Sequence, residues 1–321
     1  MSWFILGRIA QGMVVMLVVA LVSFSIFQYV GDPITSILGQ DASESDRTQL
    51  RAELGLDKPA PVQFARFLAR AATGDFGLSL SQGQRVSSLL AERFPATFEL
   101  ASLAGLASLV FGIPLGVYAA LHRRSFGARL CMAVSLLGVS VPTFFLGILL
   151  ILVFSVHLHW LPSFGRGDTV DVGGWSTGLL TLDGWRHALL PASTLAAFQL
   201  ALVVRLVRSE MLEVLRADYI RFARARGLRD RSIHFRHALR NTLMPVLTIV
   251  GLQFGGLIAF AIITESVFQW PGLGLLFIQA IGTADVPVMA AYLCMVAAVF
   301  IVINLLVDVA YALVDPRLRR R

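Results

Sequence analysis

Lysine is almost absent from this chain: Lys58 is the only one in 321 residues. A phosphate-binding loop needs a glycine-rich turn and a lysine that reaches the terminal phosphates. Lys58 follows Asp57 instead, so no such loop exists here and any ATP this protein depends on is bound by another chain. Cysteine is also scarce. Cys131 and Cys294 both fall inside apolar runs, which implies packing residues and no disulfide framework. Charge of both signs is thin, at 15% of residues, where a soluble domain carries roughly a quarter. With 56% hydrophobic residues and a mean hydropathy of +0.74, the composition is that of an integral membrane protein. The net charge of +7 comes almost wholly from arginines set between lipid-length apolar runs. That distribution argues against a nucleic-acid partner.

What the chain has is apolar length. Ile9–Val30, Phe98–Leu121, Leu130–Val156, Ala188–Val207, Leu243–Thr264 and Val288–Tyr311 are each about 20 residues or more, enough to cross a bilayer core. The expected fold is an all-α integral membrane protein with six transmembrane helices. Residues 1–30 form an N-terminal segment with the first helix, 31–97 a large outer loop, and 98–321 the transmembrane core with an inner loop at 208–241. The first run is long for a signal core and lacks a small-x-small site after it, so it reads as an anchor. The basic turn His122–Arg129, the Arg-rich 208–241 segment and the tail Arg317, Arg319, Arg320 and Arg321 mark one side as cytoplasmic, with both termini there. The outer segment 265–287 has no Lys or Arg, and 157–186 carries Trp160, Trp175 and Trp185 at its margins, as membrane interfaces do. Pro142 is expected to kink the third span and Pro245 to open the fifth.

In the outer loop, Val62, Phe64, Phe67 and Leu68 give Pro59–Ala72 an amphipathic helical pattern, stopped by Thr73-Gly74-Asp75. Such a helix would rest on the membrane, touch an external partner, or serve as a packed lid.

The densest signal lies in Arg208–Pro245. Met211, Leu215, Tyr219 and Phe222 recur at helical spacing and predict one apolar face, with Arg216, Arg221 and Arg224 turned away from it. Gly227 can end that helix by taking a left-handed turn. This is either a basic loop that only fixes topology or a short docking helix. Ala223, Ala225 and Gly227 are small enough to let it sit deep in a partner's groove, and the arginines can meet acidic groups there.

Weaker candidates complete the reading. Glu99, Glu265 and Asp308 are acids near span ends, where a transport role competes with pairing to arginine. Gln199 and Gln253 lie within spans and face either a path or another helix. His157 and His159, two residues apart, are either two interfacial histidines or a pair that binds a metal such as nickel from outside.

Many short stretches resemble permease subunits of the dipeptide/oligopeptide/nickel family of ABC importers. They are Gly31-Asp32-Pro33, Leu54-Gly55-Leu56-Asp57-Lys58-Pro59, Gly74-Asp75-Phe76-Gly77-Leu78-Ser79, Trp160-Leu161-Pro162, Asp218 to Leu228, Arg236 to Asn241, Glu265-Ser266-Val267-Phe268, Pro271-Gly272-Leu273-Gly274, Asn304 to Asp308 and Asp315-Pro316-Arg317. The inner signature departs from the general form of its loop: Arg221-Phe222-Ala223 stands where Glu-Ala-Ala would.

The resemblance implies a type I ABC importer permease in a bacterial inner membrane, forming half of a path for short peptides. Nickel or another small solute is the alternative cargo, and an autonomous secondary transporter the alternative class. It implies a sister permease as heterodimer partner, two ATPase subunits and a periplasmic or lipid-anchored substrate-binding protein. No cofactor would be bound by this chain, with ATP and Mg used by the partners and no enzymatic activity of its own. It carries an ATPase-coupling role to Asp218, Tyr219, Phe222, Ala223, Arg224, Ala225, Arg226, Gly227 and Leu228. The translocation path is expected at Glu99, Pro142, Gln199, Gln253 and Glu265. No metal site is expected.

Overall fold

The structure, a computed structural model, describes residues 2–29, 43–45, 48 and 57–314. Gly31-Asp32-Pro33, Leu54-Gly55-Leu56, Asp315-Pro316-Arg317 and the closing arginines lie outside the described residues. Helices dominate, because a chain in hydrocarbon must satisfy its backbone N–H and C=O groups internally. In order they are α1 (Ser2–Tyr29), α2 (Ala60–Ala72), α3 (Val86–Leu121), α4 (Phe126–Ser140) and α5 (Thr143–Leu150), which runs on as a π-helical segment, Ile151–His157. A hairpin of β1 (Val170–Val172) and β2 (Trp175–Thr177) precedes α6 (Leu182–Val214) and α7 (Asp218–Ala225). A turn at Asp230–Ser232 and a π-helical stretch, Ile233–Ala238, lead into α8 (Leu239–Phe268), followed by α9 (Leu273–Gly282) and α10 (Val286–Val314).

Spans on α1, α3, α6, α8 and α10 are each long and apolar enough to cross a membrane. The sixth is broken: α4 and the α5 limb meet at 110°. Pro142 therefore does more than kink a helix. A residue before proline is pushed out of the helical region, and Val141 is extended at φ −86, ψ 127. Pro142 itself, at ψ 136, only begins the next helix. Pro245 differs in the other direction. It lies inside α8 rather than opening it, because the chain is already helical before it. The 265–287 segment is likewise more ordered than a loop: α8 continues through Glu265 to Phe268, Gln269 turns left-handed, and α9 follows.

The chain divides into two compact units. In residues 1–95 and 271–321, α1 packs along α10, and Gly12 permits the approach: a Cβ there would stand 2.7 Å from Ile301. The α2 helix lays Phe64 and Phe67 against Phe24 of α1, with ring centroids 5.5 and 6.0 Å apart. It ends as the sequence predicts, on left-handed Gly74, with Asp75 N–H donating to the Arg70 carbonyl. Arg70 Nε and Gly77 N–H both donate to the Asp75 carboxylate and hold it below the usual carboxylate range. Val86, Leu89 and Leu90 at the start of α3 share a core with Leu273 and Leu276 of α9 and Val288 and Tyr292 of α10.

In residues 96–270, α4, α5 and α8 all pack on α6. Gly112 and Gly116 of α3 meet Val203 and Val207 of α6 where any Cβ would clash, at 2.8 and 2.6 Å. Small residues set close approach in lipid, where no hydrophobic force draws helices together.

Candidate coupling surface and buried polar groups

The segment after α6 does not continue as one helix. After Val214 the chain turns through Leu215–Ala217, and α7 begins afresh at Asp218. The turn resets the helical phase, so the single face expected from Met211, Leu215, Tyr219 and Phe222 does not form. Met211 is buried on α6, whereas Tyr219 and Phe222 are 46% and 64% exposed. The buried face of α7 is Ile220 and Ala223. Both join a core with Val117 and Ala120 of α3, Val203, Val207 and Met211 of α6, Ile233 and Ala238, and Val246 of α8. Sequence periodicity missed Ile220, which anchors the element; its spacing of three from Ala223 was the available signal. Ala223 is turned toward its own bundle, so close approach to a partner is left to Ala225 and Gly227, both exposed.

The end of α7 is fixed by backbone chemistry. Gly227 sits at φ 77, its N–H donates to the Arg224 carbonyl (2.9 Å), and Leu228 N–H donates to the Ala223 carbonyl (3.2 Å). This paired closure satisfies carbonyls that a helix end leaves free. Asn241 Nδ2 donates to the Tyr219 hydroxyl at 2.7 Å, tying α7 to the base of α8. Arg226 lies over the Phe222 ring, 5.7 Å from its centroid, and Arg221 pairs with Asp218 at 3.4 Å in full exposure. The result is a rigid, outward-facing surface. Two aromatic rings stand among Arg221, Arg224 and Arg226, with exposed Leu228 just past the cap.

Glu99 and Glu265 are both buried in the same unit, each accepting from its own partners. Arg166 Nη2 donates to Glu99 at 2.7 Å and to the Ser176 carbonyl at 2.6 Å. Trp175 Nε1 donates to the other Glu99 oxygen at 3.1 Å. Arg166 also lies over Trp270, whose Nε1 donates to the Ala96 carbonyl. Thr97 Oγ1 donates to Glu265 at 2.6 Å. The β-hairpin, tipped by left-handed Gly173 and Gly174, is thus pinned to α3 through Trp175 and Ser176. The Gly-Gly pair between short apolar runs was the sequence signal for it.

Gln199 is buried on α6, and its Nε2 makes no hydrogen bond among the described residues. Gln253 is half-buried on α8 and Pro142 is exposed at the α4–α5 break; neither belongs to the Glu99 node. Asp308 pairs with Arg8 at 3.0 Å. His157 and His159 are exposed, and no cluster of three metal-ligating side chains occurs among the described residues.

Comparison with known proteins matches this architecture. Residues 112–320 match the model of the binding-protein-dependent transport system inner membrane component family, and residues 1–101 match its N-terminal counterpart. A Brucella abortus (strain 2308) chain is 42% identical over 321 residues, 99% of each chain. The di/tripeptide transport system permease protein of Pseudomonas aeruginosa is 41% identical over 94% of each chain. Among solved structures, an inward-facing methionine ABC transporter shares the fold at a TM-score of 0.52 and 18% identity, covering 70% of this chain and 94% of that one. Matched by those family models over most of its length and sharing that fold, this chain belongs to the binding-protein-dependent transport system inner membrane components, as a multi-pass permease subunit of an ABC importer.

Proposed function

We propose that the chain forms half of a path for di- and tripeptides and that α7 is where ATPase subunits drive it. The observation that carries this reading is the build of α7. Ile220 and Ala223 weld it to α3, α6 and α8, while Tyr219, Phe222 and the arginines stand outward. A lever needs both properties: a rigid hold on the moving helices and a free surface for the motor. Exposed aromatic rings ringed by arginine are the residue types that dominate binding energy at protein interfaces. A partner groove with an apolar floor and an acidic rim would receive them, arginine pairing bidentately with the rim.

In this reading the partners hold ATP and Mg, and hydrolysis is theirs. ATP-driven closure of the paired ATPases shifts α7, and α6 and α8 tilt with it between two discrete packings. A sister permease supplies the other half of the path and a binding protein delivers cargo. Peptide cargo is supported by the di/tripeptide name of the Pseudomonas aeruginosa relative, which spans nearly the whole chain.

The test is uptake of labelled dipeptide and tripeptide into proteoliposomes holding the complete complex, with and without ATP. Phe222→Ala removes a ring worth about 2 kcal/mol at an interface hot spot. Uptake and cargo-stimulated ATP hydrolysis should fall together by at least tenfold. Full coupled uptake by that variant, or peptide flux through this chain alone, would refute the proposal.

A further inference from the structure

Just beyond α7 lies an open cavity of about 580 Å³ lined by Arg229, Arg231, Ser232, Phe235 and Arg236. None of the three arginines makes an ion pair among the described residues. Asp230, the one acid in the stretch, is exposed and is not part of the lining. Three exposed guanidinium groups face one concavity, where an anion would relieve their mutual repulsion, and the Ser232 hydroxyl adds a donor. Guanidinium forks match phosphate geometry bidentately. A carboxylate and a lipid phosphodiester each carry one negative charge and two free oxygens, so the open cavity by itself accepts either.

The surroundings decide between them. The exposed positions Arg236, Arg240, Met244 and Leu247 follow one another at spacings of four, four and three along the helix leading into and through α8, which places them on one face. Over the rise from Arg236 to Leu247, about 16 Å, that face passes from cationic to apolar. The exposed Phe235 ring adds an apolar wall beside the basic groups. A basic base with an apolar strip above it is the profile of a phospholipid seen from its headgroup to its acyl chain. We propose that this cavity binds the phosphate headgroup of an anionic phospholipid, whose acyl chain lies along Met244 and Leu247. The lipid would fill the space behind α7 and brace it. The site does not depend on which cargo is carried.

The assembled complex, purified from membranes, is reconstituted in nanodiscs of phosphatidylcholine containing a small fraction of phosphatidylglycerol. It is then released and analysed by native mass spectrometry. Wild type should retain phosphatidylglycerol on this subunit in preference to phosphatidylcholine. The triple variant Arg229→Gln, Arg231→Gln, Arg236→Gln should retain it on the order of a hundredfold less, at about fivefold for each charge removed near a membrane surface. The matching triple Lys variant keeps the charge and should restore much of the retention. Copurification of the Gln variant with its partner subunits shows that its loss of lipid is not a failure to fold. Arg123→Gln with Arg124→Gln, in the other basic turn, should leave retention unchanged. Four results overturn the proposal. One is equal retention of the two lipids by wild type; another is unchanged retention by the triple Gln variant. The third is displacement of the lipid by millimolar inorganic phosphate, which reassigns the cavity to a soluble phosphate. Crosslinking of Arg231 or Arg236 positions to an ATPase subunit, with no lipid retained, would assign it to a protein carboxylate instead.

Discussion

Glu99 and Arg166 are each nearly buried, in a protein with few charges. Taking both from water costs several kcal/mol per ion, and their attraction offsets this only when the remaining polar atoms are also satisfied. Trp175 and the Ser176 carbonyl meet that need in part, while Arg166 Nε has no partner among the described residues. Glu99→Ala should therefore destabilise the folded subunit by about 3–5 kcal/mol, because it leaves Arg166 buried and unpaired. Glu99→Leu with Arg166→Met should cost much less than the sum of the single changes. Thermal unfolding of the four variants in detergent measures the coupling, and additive losses would show that the pair is not a unit. Asp285 is also fully buried, and it accepts from the Ser79 and Ser81 hydroxyls and from Ser81 N–H rather than pairing with a base. Burial pushes its carboxyl up, but these hydrogen bonds together outweigh that and hold it below the usual range. A lowered folded pKa gives stability that is present above the unfolded value of about 3.9. That stability is lost only as pH falls through the folded one. Asp285→Asn should lower stability by roughly 2 kcal/mol at neutral pH, with no change down to pH 5 and convergence with wild type below about pH 3.9. A gap that closes between pH 7 and 5 would contradict the assignment.

At the scale of the element, α7 depends on one backbone position. A Cβ on Gly227 would meet nothing within 4 Å, so the cost of a side chain there is purely conformational. Gly227→Ala should weaken the cap by about 1 kcal/mol, the penalty of the left-handed region. Gly227→Asn, which tolerates that region, should lose less. Amide exchange over residues 218–228 in the assembled complex should speed up in the order wild type, Asn, Ala. Equal exchange in all three would mean the closure contributes nothing. Gly227 was legible in the sequence because a glycine after a helical run has one common use. The same logic located the end of α2 at Gly74. The buried face of α7 was not legible, because periodicity is meaningful only along an unbroken helix and the turn at Leu215–Ala217 rotates everything after it. The α4–α5 break was half legible: proline announced a disturbance, but whether a helix bends or breaks depends on the ψ that the preceding residue adopts. The Glu99 node was illegible for a different reason. Its partners Arg166, Trp175 and Trp270 are far away in sequence, and nothing local marks which arginine will meet which acid.

For the whole molecule, the distribution of charge predicts an orientation that no single contact does. The turn between α3 and α4 carries Arg123 and Arg124, and the segment from α6 to α8 carries Arg216, Arg221, Arg224, Arg226, Arg229, Arg231 and Arg236. The α8–α10 connection and its α9 helix carry no basic residue. Short loops rich in arginine stay on the cytoplasmic side during insertion, whereas neutral ones cross. The broken third span sharpens the test. If α4 and α5 together cross once, the β-hairpin lies opposite the Arg123 turn. If they re-enter and return, the hairpin lies on the same side as that turn, and α6 would have to run the other way. That would put the α7 surface opposite the Arg123 turn, with the seven arginines of the α6–α8 segment in the external space. Single cysteines can be placed at exposed Arg123, Gly174 and Arg224, in a chain with Cys131 and Cys294 replaced by Ala. In intact cells an impermeant maleimide should label the Gly174 position and spare the other two. In inverted vesicles it should label Arg123 and Arg224 positions and spare Gly174. Labelling of the Arg224 position from outside would remove the α7 surface from the compartment where ATP is available, and with it the coupling role built on Ile220, Tyr219 and Phe222.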